Sequence, residues 1–191
     1  MSENSPAGPS RVALRERLLR RRDAFVAGNG FIAAEGALGG HLRAVLDALE
    51  PDRLGLYWAV RGEFNAARAL QGPPPLHIPL ALPTSRRVPC EMHFRAWDGA
   101  PPTAVDDWGI ACADGPVVVP DVVLVPCVGY TCTGWRLGYG GGYFDRWLAA
   151  HPQVTAVGVA WSVGEIAEAD FAAEPHDVAL ALVVTEAGVV R

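Results

Sequence analysis

A chain of 191 residues that is 50% hydrophobic and 19% charged has enough apolar sequence for one substantial core and lacks the composition of a disordered segment. Its 16 Lys and Arg against 21 Asp and Glu leave a net charge of −5, which favours solubility and implies no anionic macromolecular partner. The opening residues do not read as a signal peptide, no run approaches the ~18 apolar residues that cross a bilayer, and the four cysteines read as reduced thiols of a cytoplasmic protein.

Residues 1–10, rich in Pro, Gly and Ser, are expected to be a flexible N-terminus, followed by one domain over 11–191. From 11 to 26, Val12, Leu14, Leu18, Leu19, Phe25 and Val26 fit one broad helical face, with Ser10 placed to cap its start and Gly28 and Gly30 to break it. Six arginines crowd this helix from Arg11 to Arg22, and Arg17, Arg20, Arg21 and Arg22 are expected to form a solvated face. A second amphipathic helix covers 34–49 and stops at Pro51. Residues 54–60 read as a buried strand and 63–70 as a short helix; the Gly-Pro-Pro-Pro run at 72–75 cannot be helix interior.

Strands are expected over 76–82 and, once or twice, over 88–97, before a loop-rich excursion at 98–121. The run 122–125 is short, apolar and mostly β-branched, as a central parallel strand buried on both faces would be. A helix over 143–149 and strands over 154–160 and 178–184 complete an alternation that predicts an α/β fold: three layers, with a mainly parallel central sheet and helices on both faces. Cys90 and His93 have the spacing of half a zinc site, but no second close pair completes one.

The chemistry concentrates after that central strand, in Thr133-Gly134-Trp135-Arg136-Leu137-Gly138-Tyr139-Gly140-Gly141-Gly142-Tyr143-Phe144-Asp145-Arg146. Ligands of open α/β sheets bind beyond the carboxyl ends of strands, where this segment must lie. Its glycines let backbone N–H groups approach an anion, the helix starting at Tyr143 adds unpaired N-terminal donors, and Arg136 and Arg146 offer charge-assisted forks. Neither a Walker A motif nor a dinucleotide-binding fingerprint fits, because no Lys-Ser/Thr follows the glycines.

Together with Pro126-Cys127-Val128-Gly129-Tyr130-Thr131-Cys132, this segment resembles the signature of the 5-formyltetrahydrofolate cyclo-ligase family, also called methenyltetrahydrofolate synthetase. The resemblance implies a NagB/RpiA/CoA-transferase-like α/β fold. It also implies a reaction that uses ATP and Mg²⁺ to convert 5-formyltetrahydrofolate into 5,10-methenyltetrahydrofolate, ADP and phosphate. On that basis Arg136, Asp145 and Arg146 are the expected catalytic residues, with Asp145 on the metal. ATP would be held by Arg11, Arg15, Gly134, Arg136, Leu137, Gly138, Tyr139, Gly140, Gly141, Gly142, Tyr143 and Arg146. Arg11 and Arg15 match the family's Lys-x-x-Leu-Arg segment and lie four residues apart, on one helical face. Tyr57, Glu63, Met92 and Tyr143 are the expected contacts of the reduced folate, and Glu174-Pro175-His176-Asp177 is expected to hold the end of the sheet and the loop together.

The chain departs from the family pattern at Thr131, at Cys112-Ala113 and at Gly164, where the family has a carboxylate, Glu-Pro and a glutamine. The readings left open are therefore the ligase itself and a divergent paralogue that binds a nucleotide or folate-like ligand without this activity. Either one implies a small-molecule partner, no nucleic acid or membrane, and a monomer or weak homo-oligomer.

Overall fold

A computed structural model of the chain describes residues 9–72 and 77–190. The expected flexible start up to residue 8 and most of the proline run lie outside the described residues. Two helices open the fold, α1 (Arg11–Val26) and α2 (Phe31–Leu49), followed by β1 (Leu54–Gly55), α3 (Ala66–Gln71), β2 (Leu80–Arg86) and β3 (Glu91–Trp97). The excursion expected to be loop-rich carries three two-residue strands, β4 (Ala104–Val105), β5 (Ala111–Cys112) and β6 (Val117–Val118). Then come β7 (Val122–Pro126), the small hairpin β8 (Gly129–Tyr130) and β9 (Arg136–Leu137), α4 (Tyr143–Ala150), β10 (Thr155–Val159), β11 (Leu182–Thr185) and β12 (Gly188–Val190).

Eight strands form the main sheet in the order β12-β11-β10-β7-β1-β2-β3-β6. The inner pairs β11–β10, β10–β7, β7–β1 and β1–β2 are parallel, and the pairs at both margins are antiparallel. The sheet is thus mixed and mostly parallel, and helices flank it. Strand β7 sits at its centre, as its apolar run predicts. Alternate β7 side chains enter opposite cores: Val122 and Leu124 pack with Leu38, Leu42 and Leu46 of α2, while Val123 and Val125 pack with Trp147 and Leu148 of α4. A third cluster joins Leu14 and Leu18 of α1 to Val128 and Leu137 of the hairpin, so α1 lies over the chain that leaves β7.

Three expected elements are shorter than their hydrophobic patterns, for local reasons. The strand expected over 54–60 pairs only at Leu54–Gly55; Leu56 adds one bond to the Ala81 carbonyl before the chain turns at Arg61 and Gly62, both at positive φ. The helix expected from residue 63 starts at Ala66, because the Asn65 side chain accepts from the N–H of Arg68 and caps it there. The strand expected over 178–184 begins at Leu182, since the Leu180 N–H is taken by the Gly134 carbonyl of the hairpin turn. Strand β2 starts at Leu80 and runs on to Arg86, longer at its far end than the apolar run 76–82, because seven cross-strand pairs with β3 carry it. Ser10 does cap α1, its hydroxyl accepting from the N–H of Ala13. Among the described residues no helix is long and apolar enough to cross a membrane.

Close packing around β1 leaves no room for a side chain at Gly55, where a Cβ would stand 2.8 Å from both the Phe94 ring and Val123. Phe94 cannot yield, being wedged against Trp147 at 4.8 Å between ring centroids. Urea unfolding is expected to show Gly55→Ala costing about 1–3 kcal/mol through overpacking and Leu124→Ala about 2–5 kcal/mol through cavity formation. Val189→Ala, at an exposed edge position, should stay within about 0.5 kcal/mol of the parent.

Candidate active site

Beyond the carboxyl ends of β1 and β7 lies a cavity of about 930 Å³, walled by α1, the turn after β1, β2, β3, the 106–111 loop, the glycine loop and the 174–177 segment. The glycine loop forms one wall. Gly138, Gly140, Gly141 and Gly142 all face the cavity, and Gly140 and Gly142 adopt φ of 96° and 63°. Gly142 is also the residue before α4 and brings no side-chain cap, so the first-turn N–H groups of α4 are not covered by a capping oxygen.

Three arginines hold this loop, each in a different way. Arg15 donates from Nε to the Gly138 carbonyl at 2.7 Å, and its guanidinium rests where a side chain at Gly140 would stand. Arg146 donates to the Gly141 carbonyl at 2.6 Å and lies over the Tyr143 ring. It sits outside the cavity wall, fastening the loop from behind. Arg136, whose side chain is 5% exposed, pairs with Asp145 at 2.9 Å and with its second oxygen at 3.4 Å; the Arg136 Nε is buried without an acceptor. Asp145 also accepts from the N–H of Val178. The residue expected on the metal thus spends its carboxylate on a buried ion pair and a backbone donor. Among the described residues, no three His, Cys, Asp or Glu side chains group as a metal site.

Arg11, expected to face phosphates, is clasped by acids instead. It contacts both oxygens of Asp177, reaches Glu174 at 3.3 Å and donates to the Ala172 carbonyl at 2.9 Å. This is how the 174–177 segment closes over the start of α1, while His176 stays exposed beside Glu174. Burial opposes the charge on Asp177, yet the Arg11 hydrogen bonds and the Glu174 N–H outweigh it and hold its carboxyl below the ordinary range.

Another stretch of the lining is aromatic and apolar, with one acceptor set into it. Met92 and Trp58 line it, and the Tyr57 hydroxyl donates to the Phe64 carbonyl at 2.7 Å. Glu63 accepts from the Val60 N–H through Oε2, while its Oε1 is buried and without a donor. Burial raises the Glu63 pKa above the usual range, against the pull of that N–H and of Arg22, Tyr139 and Arg61. Over the mouth, Trp108 donates to the Tyr143 hydroxyl at 2.8 Å, Tyr143 donates to the Arg86 carbonyl, and Arg87 covers the outer face of the indole at 4.3 Å.

Of the residues expected from sequence, the cavity gathers Arg11, Arg15, Tyr57, Glu63, Met92, Arg136, Leu137, Gly138, Tyr139, Gly140, Gly141, Gly142, Tyr143 and Asp145. Gly134 lies away from it: at φ 87° it packs against the Leu180 carbonyl, where a Cβ would come within 2.7 Å. Arg22 corrects the expected solvated face. It is 3% exposed and donates to the Cys127 carbonyl at 2.6 Å and the Tyr139 hydroxyl at 2.9 Å. Its position was readable, since Leu14, Leu18 and Arg22 follow one another at four-residue steps on the buried face of α1. Trp108 was hidden in the excursion, its turn set by Asp106 accepting from the N–H groups of Trp108 and Ile110. Thr131, Cys112-Ala113 and Gly164 all lie behind the cavity walls; the Thr131 hydroxyl accepts from the Trp135 N–H in the hairpin turn.

A family model described as the 5-formyltetrahydrofolate cyclo-ligase family matches residues 7–186. A 5-formyltetrahydrofolate cyclo-ligase of Mycoplasma pneumoniae is 39% identical over 67 residues, 35% of this chain and 39% of that protein. One of Mycolicibacterium smegmatis is 42% identical over 65 residues, 34% of this chain and 33% of its own. The matched stretches therefore span well under half of these curated relatives. Among solved structures, a 5,10-methenyltetrahydrofolate synthetase from Mycoplasma pneumoniae superposes with a TM-score of 0.71 at 23% identity, covering 93% of this chain and 99% of the other. The Aquifex aeolicus 5,10-methenyltetrahydrofolate synthetase gives 0.74 at 23% identity, covering 95% and 92%. At that identity the likeness is one of fold.

Two measurements test the ion pairs. Arg136→Met and Asp145→Asn should each cost about 3–5 kcal/mol in urea unfolding, because each strands a buried partner, and the double variant should cost clearly less than their sum. Because the native Asp177 pKa is depressed, its contribution to stability is present above the unfolded carboxylate value and is lost as pH falls through the native one. Asp177→Asn should therefore flatten stability against pH from about pH 4 downward, with little change in that slope at neutrality.

Proposed function

The chain belongs to the 5-formyltetrahydrofolate cyclo-ligase family, and from that premise we propose that it closes 5-formyltetrahydrofolate to 5,10-methenyltetrahydrofolate, with ATP converted to ADP and phosphate. The observation that carries this reading is the two-sided cavity. One wall offers backbone donors and guanidinium charge, the other an apolar, aromatic surface with a single buried acceptor, and the volume of about 930 Å³ reaches the upper end of ordinary ligand pockets.

In this reading the formyl oxygen at N5 takes the γ-phosphoryl group, N10 attacks the activated carbon, and phosphate leaves as the ring closes. The protein contributes position and fixed charge. Glycine-loop N–H groups and the first turn of α4 orient phosphate oxygens, and Arg15 brings positive charge alongside. The Arg136–Asp145 pair keeps the loop in place. On the other wall Glu63 accepts from an N–H of the pteridine, with Met92, Tyr57 and Trp108 against its faces. Covalent catalysis through Cys127 is disfavoured, since burial pushes that thiol up to about 12. Mg²⁺ fits this site as a companion of the nucleotide, held by phosphate oxygens and water, because Asp145 is already engaged. It would offset phosphate charge.

The paralogue reading draws its support from Thr131, Cys112-Ala113 and Gly164, and their placement behind the walls favours the ligase. The deciding assay follows the absorbance of the methenyl product with purified protein, Mg·ATP and 5-formyltetrahydrofolate, where turnover above background is expected. Calorimetry on Arg15→Ala should show Mg·ATP binding weakened at least ~10-fold, the scale of one lost charge-assisted contact. Background rates at saturating substrates would reject the ligase, and Mg·ATP binding persisting beside them would point to another substrate.

A further inference from the structure

Arg22 is a buried cation with no anion in its first contacts. Its guanidinium is held by two neutral oxygens, the Cys127 carbonyl and the Tyr139 phenol, and no ion pair engages it among the described residues. A cation so placed is costly unless a nearby negative charge answers it. The nearest acid in the chain that packs on it is Glu63, whose neighbour Gly62 lies against the Arg22 stem, and Arg22 is among the charges that lower the Glu63 pKa against its burial. The turn packs directly on α1: a Cβ at Gly62 would stand in ordinary contact with the Arg22 stem at 3.6 Å and close to Val26 at 3.3 Å, and Gly62 itself is at φ 72°. The same turn is pinned from the other side by Trp161, which donates to the Gly62 carbonyl at 2.8 Å.

We infer that Arg22 is a positioning residue of the site: from behind the wall it places a buried positive charge against the turn that carries Glu63, and it fixes the Tyr139 phenol that bounds the glycine loop. The inference rests on the proposed ligase reading, in which Glu63 is the acceptor for the folate. Because Tyr139 accepts the Arg22 donor, the phenol is held at a fixed point of the glycine loop. One side chain of α1 thereby ties the acceptor wall to the phosphate wall. The groups that face Glu63 are Arg22 from α1, Arg61 in its own turn, Tyr139 from the glycine loop, Tyr57 after β1 and the neutral Cys127 thiol after β7. Of these, Arg22 and Arg61 carry charge. Arg61 is exposed, so solvent screens it more than it screens Arg22.

The test needs no ligand at first. The Glu63 side-chain carboxyl is titrated by carbon NMR, with its resonance assigned through Glu63→Gln. In Arg22→Met the midpoint should rise, because the stabilising charge is gone, and in Arg22→Lys it should return toward the parent value. Binding of 5-formyltetrahydrofolate to Arg22→Met should weaken about 10-fold at neutral pH, with its loss on acidification displaced to higher pH, a pH shift that Mg·ATP binding should not share. A Glu63 midpoint unmoved in folded Arg22→Met would overturn the inference. Should that variant fail to fold, Glu63→Gln gives the reciprocal reading: the Arg22 guanidinium nitrogen resonances must shift when the carboxylate is removed, and unmoved resonances overturn it equally. A parent protein that binds no 5-formyltetrahydrofolate would defeat the ligase reading, and the ligand-free titration would still decide the role of Arg22.

Discussion

The buried pairing of Arg136 with Asp145 is the constraint on which the site depends. Arg136 is in β9 and Asp145 is in the first turn of α4, so the pair spans the glycine loop at its base. Glycines supply freedom, and freedom in a loop costs entropy on binding unless something fixes its ends. The ion pair fixes them. The Val178 N–H on the same carboxylate adds the chain that leads into β11, so three segments meet at one side chain. Such a pair contributes little net stability, since desolvation offsets attraction, but it specifies one geometry for the loop between its members.

The other arginines follow the same logic. Arg11 is clasped by Asp177 and Glu174, Arg15 by the Gly138 carbonyl, Arg146 by the Gly141 carbonyl, and Arg22 by Cys127 and Tyr139. Their charge is held in place before any ligand arrives. Fixed dipoles and charges need no reorganisation as negative charge develops, which is where an enzyme gains over water. The sequence shows a patch of positive charge on one helix; in the fold it is distributed as separate braces.

Much of this was legible in the residues. The apolar run of β7 identified the sheet centre, and the glycine-rich segment after it identified the site, because a strand end followed by a flexible loop and a helix start leaves few alternatives. Less legible was how each charge would be spent. Asp145 reads as a metal ligand by resemblance, but its choice of Arg136, nine residues earlier, depends on the hairpin β8–β9 folding back against the start of α4, which neither the glycine run nor the helix pattern encodes by itself. Arg22 departs from the solvated face that the five other arginines of α1 suggest, and its four-residue spacing from Leu18 is the signal of that burial. Thr131 shows the converse: at a motif position where the resemblance points to chemistry, the side chain serves the turn, its hydroxyl accepting from the Trp135 N–H.

The clasp between Arg11 and Asp177 joins residues 166 apart in sequence, while Arg15 and Gly138 are 123 apart and Arg22 and Tyr139 are 117 apart. On the ribosome α1 emerges more than a hundred residues before these partners. The helix must wait, its buried face unsatisfied, until they follow. The cavity therefore cannot close before Asp177 has been synthesised, and the time it takes to assemble is set by translation as much as by folding.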